Sequence, residues 1–188
     1  MTKDIFSIKN KVFVITGGLG QLGQVYLNEV LSRGGKVAIL DILEVDSEMV
    51  MGLIDKLNKN YFLYINVNVT KKIQIQNAVS KVLKKWERID VLINNAALDS
   101  PPDAPSDEVG PFEEYPEESF DKVMDVNVKG IFLCCQIIGK VMAQQKNGTI
   151  INISSIYGLV SPRQDIYDFR RKDGNQFFKP IAYSVSKS

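Results

Sequence analysis

Short apolar runs of five to seven residues alternate along the chain with longer stretches in which apolar residues recur every three or four positions. Runs of this kind are typical of buried strands, and the second pattern is typical of helices that cover a sheet. Regular alternation of the two predicts an α/β fold, a doubly wound parallel sheet with helices on both faces. The five predicted strands span residues 11–16, 36–40, 61–67, 89–93 and 149–153.

Capping residues mark where the intervening helices begin and end. The first helix is predicted near 21–33, before Gly34-Gly35, and the second begins after Ser47. Thr70 is placed to cap the third helix, and a long fourth helix is expected near 118–146.

Two segments interrupt this alternation. Residues 98–116 hold five of the seven prolines and, with their flank, are acidic, which predicts a long loop. Residues 159–182 mix arginine and lysine with aromatic residues and show no sustained period. We expect the 188 residues to form one domain.

Composition narrows the possible functions. The chain has a formal net charge of +1 and no run of five basic residues, which disfavours nucleic-acid and membrane partners. It contains no histidine, so hydrolases and metal sites that need an imidazole are excluded, and no metal is predicted. Cys134 and Cys135 lie in an apolar helical pattern and are expected to be reduced core thiols. We expect a cytoplasmic protein.

The segment TGGLGQLG at 16–23 follows a strand and opens a helix. Glycines at 17, 20 and 23 allow a tight turn, close approach of a pyrophosphate to the main chain, and close packing of helix on strand. A structural turn without a ligand uses glycine as well. Asp41, 18 residues after Gly23, favours the ligand-binding interpretation. A carboxylate there accepts hydrogen bonds from the ribose of NAD and repels the 2′-phosphate of NADP, although Asp41 could instead cap the next helix.

Several motifs in order resemble the short-chain dehydrogenase/reductase family over the whole chain. They are TGGLGQLG (16–23), NVT (68–70), NNAA (94–97), NVKG (127–130), ISS (153–155) and YSVSK (183–187). The resemblance implies strand order 3-2-1-4-5 and a bound NAD. The cofactor-binding residues that it implies, besides the tyrosine and lysine of YSVSK, are Gly17, Gly20, Gln21, Leu22, Gly23, Asp41, Asn68, Val69, Asn95, Ala96 and Ala97.

The family's catalytic residues correspond to Asn127, Ser155, Tyr183 and Lys187. A tyrosine, with an ordinary pKa of about 10, is a poor base at neutral pH. Lys187 is one helical turn beyond Tyr183, where its ammonium favours the phenolate and can reach the nicotinamide ribose. The resemblance implies that Ser155 forms a hydrogen bond to the substrate oxygen. It also implies that Asn127 holds a water that links Lys187 to solvent.

The chain departs from the family pattern at four points. Asn68 replaces the family's aspartate at the adenine contact, and Gln21 stands where a glycine is common. The interval from Ser155 to Tyr183 is about double the usual one, so residues 159–182 contain an insertion at the active site. Its sequence resembles that of dehydrogenases in bacterial surface-sugar and flagellin-glycan pathways. The family pattern also continues beyond Lys187, so we expect a chain truncated at its C-terminus.

Three functions agree with these residues. The first is an NAD-dependent oxidoreductase acting on a small alcohol or ketone, with a sugar or sugar nucleotide as one candidate substrate and the intact parent protein as the active form. The second is an idle NAD-binding or oligomerisation module. The third, suggested by the glycine spacing, is a nucleotide-sugar epimerase or dehydratase. Homo-oligomers are expected to form through the long helix 118–146.

Overall fold

A computed structural model describes residues 4–99, 106–170 and 177–188. Parts of the predicted acidic loop and of the 159–182 insertion therefore lie outside the described residues. The chain forms two compact units. The first comprises Met1–Ala96 and Gly130–Ile153, and the second comprises Ala97–Lys129 and Ser154–Ser188.

The first unit contains a parallel sheet of five strands in the order β3-β2-β1-β4-β5. Both the fold class and the strand order predicted from the sequence are confirmed, and each strand lies within two residues of its predicted position. The strands are β1 (Val12–Thr16), β2 (Lys36–Asp41), β3 (Phe62–Asn66), β4 (Val91–Asn94) and β5 (Thr149–Asn152).

Burial across the sheet explains these apolar runs. All five residues of β1 are buried, as are five of the six in β2, because helices cover both faces at the centre of a doubly wound sheet. The four residues of the edge strand β5 are exposed. The glycine turn after β1 and the polar ends of β2 and β4 therefore lie at the carboxyl edge of the most buried strands, which is where such sheets bind ligands.

The helices agree with the predicted positions. They are α1 (Gln21–Ser32), α2 (Glu48–Lys56), α3 (Lys72–Trp86), α4 (Glu117–Met124), α5 (Ile131–Gln145) and α6 (Ile181–Ser186). Ser47 caps α2 by accepting the Val50 N–H, as expected. The predicted cap of α3 is wrong: Lys71 is its N-cap, and Thr70 instead donates its N–H to the side chain of Asn68.

The predicted long helix is interrupted by a π-helical segment, Asp125–Gly130, between α4 and α5. Glu117–Gln145 as a whole is long and apolar enough, by length and composition alone, to cross a membrane. The core helix of a sheet protein has the same properties. In the first unit α5 packs against β4 and β5, with Leu133, Cys134 and Ile138 buried, and we therefore assign it to the core.

Two cysteines in α5 match the prediction of free thiols. Cys134 is buried and Cys135 is half-buried, and neither forms a disulfide. Burial raises the pKa of the Cys134 thiol to about 12, and Cys135 adds to the effect. The Cys134 thiol is therefore protonated at neutral pH, consistent with a packing role.

Candidate functional site

The glycine turn after β1 needs glycine at its first position. Gly17 has a φ of 60°, and a Cβ there would lie 2.7 Å from the Cα of Ala96. A Cβ on Gly23 would lie 2.6 Å from the carbonyl oxygen of Gly17, so α1 packs directly on the turn. The packing of the protein therefore requires glycine at positions 17 and 23, whether or not a ligand binds.

Gly20 is different because its surroundings are open. It is the N-cap of α1, and a Cβ there would meet only the Gly17 carbonyl oxygen, at 3.4 Å. The following residues, Gln21 and Leu22, are exposed, and the first turn of α1 carries no acidic residue. The first N–H groups of a helix have no partner within it, and its dipole is positive at this end. The turn therefore fits a phosphate group.

Asp41, at the end of β2, is held against this turn. Its Oδ2 accepts the Leu19 N–H at 2.9 Å, and its Oδ1 accepts the Leu43 N–H at a long 3.4 Å. The residue is 9% exposed. It does not cap α2, since Ser47 does so. The loosely held Oδ1 leaves acceptor capacity that suits a ribose hydroxyl.

Hydrogen bonds to Thr16 join the end of β4 to the same turn. The sequence alone does not indicate this role of Thr16. The Thr16 hydroxyl oxygen accepts the N–H groups of Asn95 and Ala96 at 3.1 and 3.0 Å. Asn95 also donates from Nδ2 to the Gly17 carbonyl at 2.8 Å. Asn94 is buried and donates instead to Asn152 on β5, which gives it a structural role in the sheet.

Asn68 and Val69 lie between β3 and α3. The Oδ1 of Asn68 accepts both the N–H and the hydroxyl of Thr70, at 2.9 and 2.8 Å. Because a backbone N–H can only donate, the amide oxygen must face Thr70. Asn68 therefore has a donor, Nδ2, left for a ligand, where an aspartate would have an acceptor. The Val69 side chain is buried.

In the second unit, Asn127 is 1% exposed and lies in the π-helical segment. Its Oδ1 accepts the Leu98 N–H at 2.7 Å, and its Nδ2 donates to the Leu98 carbonyl and to the Ser186 hydroxyl at 3.0 and 2.8 Å. Both amide protons are therefore used within the protein. π-Helical segments are frequent at functional sites and change the pairing of main-chain carbonyls.

Tyr183 and Lys187 lie at α6 as the spacing predicts. Tyr183 is half-buried, and Lys187 is 6% exposed with its ammonium 5.9 Å from the centre of the Tyr183 ring. Burial lowers the pKa of Lys187, and the nearby Asp99 carboxylate opposes this effect. A buried ammonium beside a phenol favours the phenolate.

Ser155 begins a short turn that contacts the end of α6. Its hydroxyl oxygen accepts the Tyr157 N–H at 3.2 Å, which leaves the hydroxyl proton to donate. The neighbouring Ser154 hydroxyl donates to the Lys187 carbonyl at 2.7 Å. A Cβ on Gly158 would lie 1.9 Å from that same carbonyl, so this position also requires glycine.

The described part of the 159–182 insertion contributes an aromatic cluster to the second unit. The hydroxyls of Tyr157 and Tyr167 lie 2.9 Å apart, and the Tyr167 and Phe177 rings are 5.5 Å apart. Burial raises the pKa of Tyr167 to about 12, with the Tyr157 hydrogen bond as the next cause. The mixture of aromatic and basic residues in the sequence was the available signal for this cluster.

Residues 11–167 match the family model for short chain dehydrogenase. The chain is 28% identical over 184 residues to a sorbitol-6-phosphate 2-dehydrogenase of Klebsiella pneumoniae, covering 96% of this chain and 66% of that protein. It is 34% identical over 150 residues to an NAD-dependent glycerol dehydrogenase of Listeria innocua, covering 80% and 54%.

Solved structures show the same fold. An NAD⁺-bound xylitol dehydrogenase superimposes with a TM-score of 0.75 at 24% identity, covering 96% of this chain and 60% of that one. The chain thus spans between half and two thirds of the length of these relatives. The match over most of its residues shows that the chain belongs to the short-chain dehydrogenase family.

Proposed function

We propose that this protein is an NAD-dependent oxidoreductase that transfers hydride between nicotinamide and the carbon of a small alcohol or ketone. One observation carries the proposal most directly: the Lys187 ammonium is buried beside the Tyr183 ring, on a helix that Asn127 holds in place. A buried lysine beside a tyrosine has a chemical use, since its ammonium favours the phenolate, the form of the side chain that acts as a base.

The first unit would bind the cofactor. Gly20, Gln21 and Leu22 at the start of α1 would face the pyrophosphate, and Asp41 would accept the adenosine ribose hydroxyls. A further contact with adenine would come from the Nδ2 of Asn68. NAD, when bound, supplies the hydride acceptor for alcohol oxidation. The glycerol dehydrogenase relative, named as NAD-dependent, supports this choice over NADP.

The second unit would supply the proton chemistry. During alcohol oxidation the Tyr183 phenolate takes the hydroxyl proton, Ser155 donates a hydrogen bond to the substrate oxygen, and Lys187 stabilises the phenolate. Because the Asn127 side chain is occupied by Leu98 and Ser186, we assign any water linking Lys187 to solvent to main-chain groups of the π-helical segment.

Two of the relatives guide the proposed substrate class. Their names include glycerol and sorbitol-6-phosphate dehydrogenases, which supports a polyol, a sugar or a sugar nucleotide over an apolar alcohol. We further propose a cytoplasmic enzyme without a nucleic-acid or membrane partner, which associates with itself through the long helix. In the first unit the exposed Phe132 on α5, with the exposed Ile150 and Ile151 on the adjoining edge strand β5, gives apolar surface that such association would bury.

Replacement of Tyr183 by Phe tests the proposal. NADH formation from glycerol or sorbitol 6-phosphate should fall by about 10²- to 10⁴-fold, because the acid and base is removed. NADH binding, followed by fluorescence, should be retained. Tyr61→Phe, an exposed tyrosine of the first unit, is the matched control and should keep full activity. Activity of Tyr183→Phe within tenfold of wild type would contradict the assignment. NADH binding without turnover of any polyol by the wild type would favour an idle binding module.

A further inference from the structure

A second lysine lies at Tyr183, and it belongs to no motif of the family. Lys179 comes from the 159–182 insertion, and its side chain is only 8% exposed. Lysine is rarely buried to this extent unless it is paired. Its ammonium forms an ion pair with the Oδ1 of Asp99, a residue 80 positions earlier in the chain.

The Lys179 ammonium also lies against the ring of the proposed acid and base. It is 4.9 Å from the centre of the Tyr183 ring, whereas the Lys187 ammonium is 5.9 Å from it. The ring therefore has two cations beside it. The lysine outside the motif is the nearer one.

We propose that Lys179 is a second positioning residue for Tyr183, which stabilises its phenolate together with Lys187, and that Asp99 limits this effect. The inference rests on the proposed function of the site. It gives the insertion a chemical role, since the segment that lengthens the interval between Ser155 and Tyr183 also delivers a charge to the phenol.

Burial decides which charge of the ion pair has the greater effect. The Lys179 side chain is 8% exposed, and solvent screens its charge weakly. The Asp99 side chain is 53% exposed, so water screens its carboxylate more strongly. The carboxylate therefore offsets the ammonium only in part, and the pair leaves a net positive influence at the ring.

The charges on the other described elements packed against α6 are exposed to solvent. Helix α4 packs on α6, but its charged residues Glu117, Glu118, Asp121 and Lys122 are exposed. In the turn that contains Tyr157, the phenol of that residue is hydrogen-bonded to Tyr167. Among the described residues, Lys179 and Lys187 are the cations that lie over the Tyr183 ring, and Asp99 is paired with Lys179. Arg170 lies over the Phe177 ring instead, 3.9 Å from its centre.

The experiment compares Lys179→Met, Lys179→Arg and Asp99→Asn in the purified protein. Methionine keeps the length and apolar stem of lysine and removes the charge. For alcohol oxidation, the acid limb of the pH profile of kcat should move to higher pH in Lys179→Met. A displacement of one pH unit lowers kcat about tenfold at neutral pH, and kcat returns to the wild-type value at alkaline pH. Lys179→Arg should restore the profile, and Asp99→Asn should move it to lower pH.

Lys122→Met, an exposed lysine on α4, is the matched control and should leave the profile unchanged. A loss of activity in Lys179→Met that is equal at every pH would mean a merely structural role and would overturn the inference. A rise in KM with an unchanged kcat profile would do so too, because it would assign Lys179 to an anionic part of the substrate.

A second measurement needs no substrate. The ultraviolet difference between wild type and Tyr183→Phe reports ionisation of this one phenol, and its midpoint should rise when Lys179→Met is introduced into both proteins. If the midpoint of Tyr183 ionisation shifts but the protein oxidises no alcohol, the proposed function is contradicted and this inference still holds. Tyr183-dependent turnover with an unmoved midpoint would reject this inference alone.

Discussion

Asn127 is joined to Ser186 by a buried hydrogen bond of 2.8 Å from its Nδ2 to the serine hydroxyl, and Ser186 in turn donates to the main-chain carbonyl of Tyr183 at 2.8 Å. Helix α6 has six residues, too few for an isolated helix to be stable. Its position therefore depends on such tertiary contacts. In the second unit, the π-helical segment supports the helix that carries the proposed acid and base.

Replacing Asn127 by Ala should lower the free energy of unfolding by about 1–3 kcal/mol, because the Leu98 main chain would lose its buried partners. Turnover should fall more than stability alone explains, since α6 would lose an anchor. Urea unfolding and NADH formation measure the two effects. Asn28→Ala, an exposed asparagine on α1, is the control. An Asn127→Ala protein with unchanged stability would contradict the supporting role.

Two glycine substitutions separate folding from cofactor binding. Gly17→Ala should destabilise the protein, because φ is 60° and the new methyl group would collide with Ala96. Gly20→Ala should cost only about 1 kcal/mol, because its surroundings are open although alanine is a poorer N-cap than glycine. It should weaken NADH binding by occupying the space proposed for the pyrophosphate. Thermal unfolding and titration calorimetry distinguish the two. Unchanged NADH affinity in Gly20→Ala would place the pyrophosphate elsewhere.

Asp41 should determine the choice of cofactor. We expect NAD(H) to bind more tightly than NADP(H), because the carboxylate repels a 2′-phosphate and no basic residue occurs in 17–23 or 42–45. Asp41→Ala should reduce this preference by roughly tenfold or more, because NAD(H) loses a charged hydrogen-bond acceptor for its ribose. Asp46→Ala, an exposed aspartate in the same connection, is the control. Equal affinities in the wild type, measured by calorimetry, would show that another group selects the cofactor.

Local chemistry explains what could be predicted from the sequence. The five strands are continuous apolar runs, and the turn at Gly17 requires a conformation that glycine adopts easily, so both are readable from short segments. The prediction that Thr70 caps α3 fails because its hydroxyl is directed to Asn68 and the helix begins one residue later, after Lys71. No sequence period distinguishes the π-helical segment from the α-helices beside it. The pairing of Lys179 with Asp99 joins residues 80 positions apart, and only the folded chain brings them together.

The buried Lys187 should serve catalysis while lowering the free energy of unfolding. Burial is the main cause that lowers its pKa in the folded protein, so the folded state binds the lysine proton less readily than the unfolded state. The wild type therefore loses stability as the pH falls from about 10.4, the ordinary lysine pKa, through the depressed folded-state value, and the penalty is complete below that value. Lys187→Met has no such penalty.

We therefore expect Lys187→Met to unfold at a higher urea concentration than wild type at neutral pH, while its turnover is lost. The difference in stability should shrink as the pH rises through the lysine range, because the wild-type side chain is then neutral in both states. Lys140→Met, an exposed lysine on α5, should show no such pH dependence. Because added apolar burial stabilises at every pH, the pH dependence isolates the charge. A Lys187→Met protein less stable than wild type across the range would mean that the ionic and hydrogen-bonding partners of Lys187 outweigh the cost of burying it.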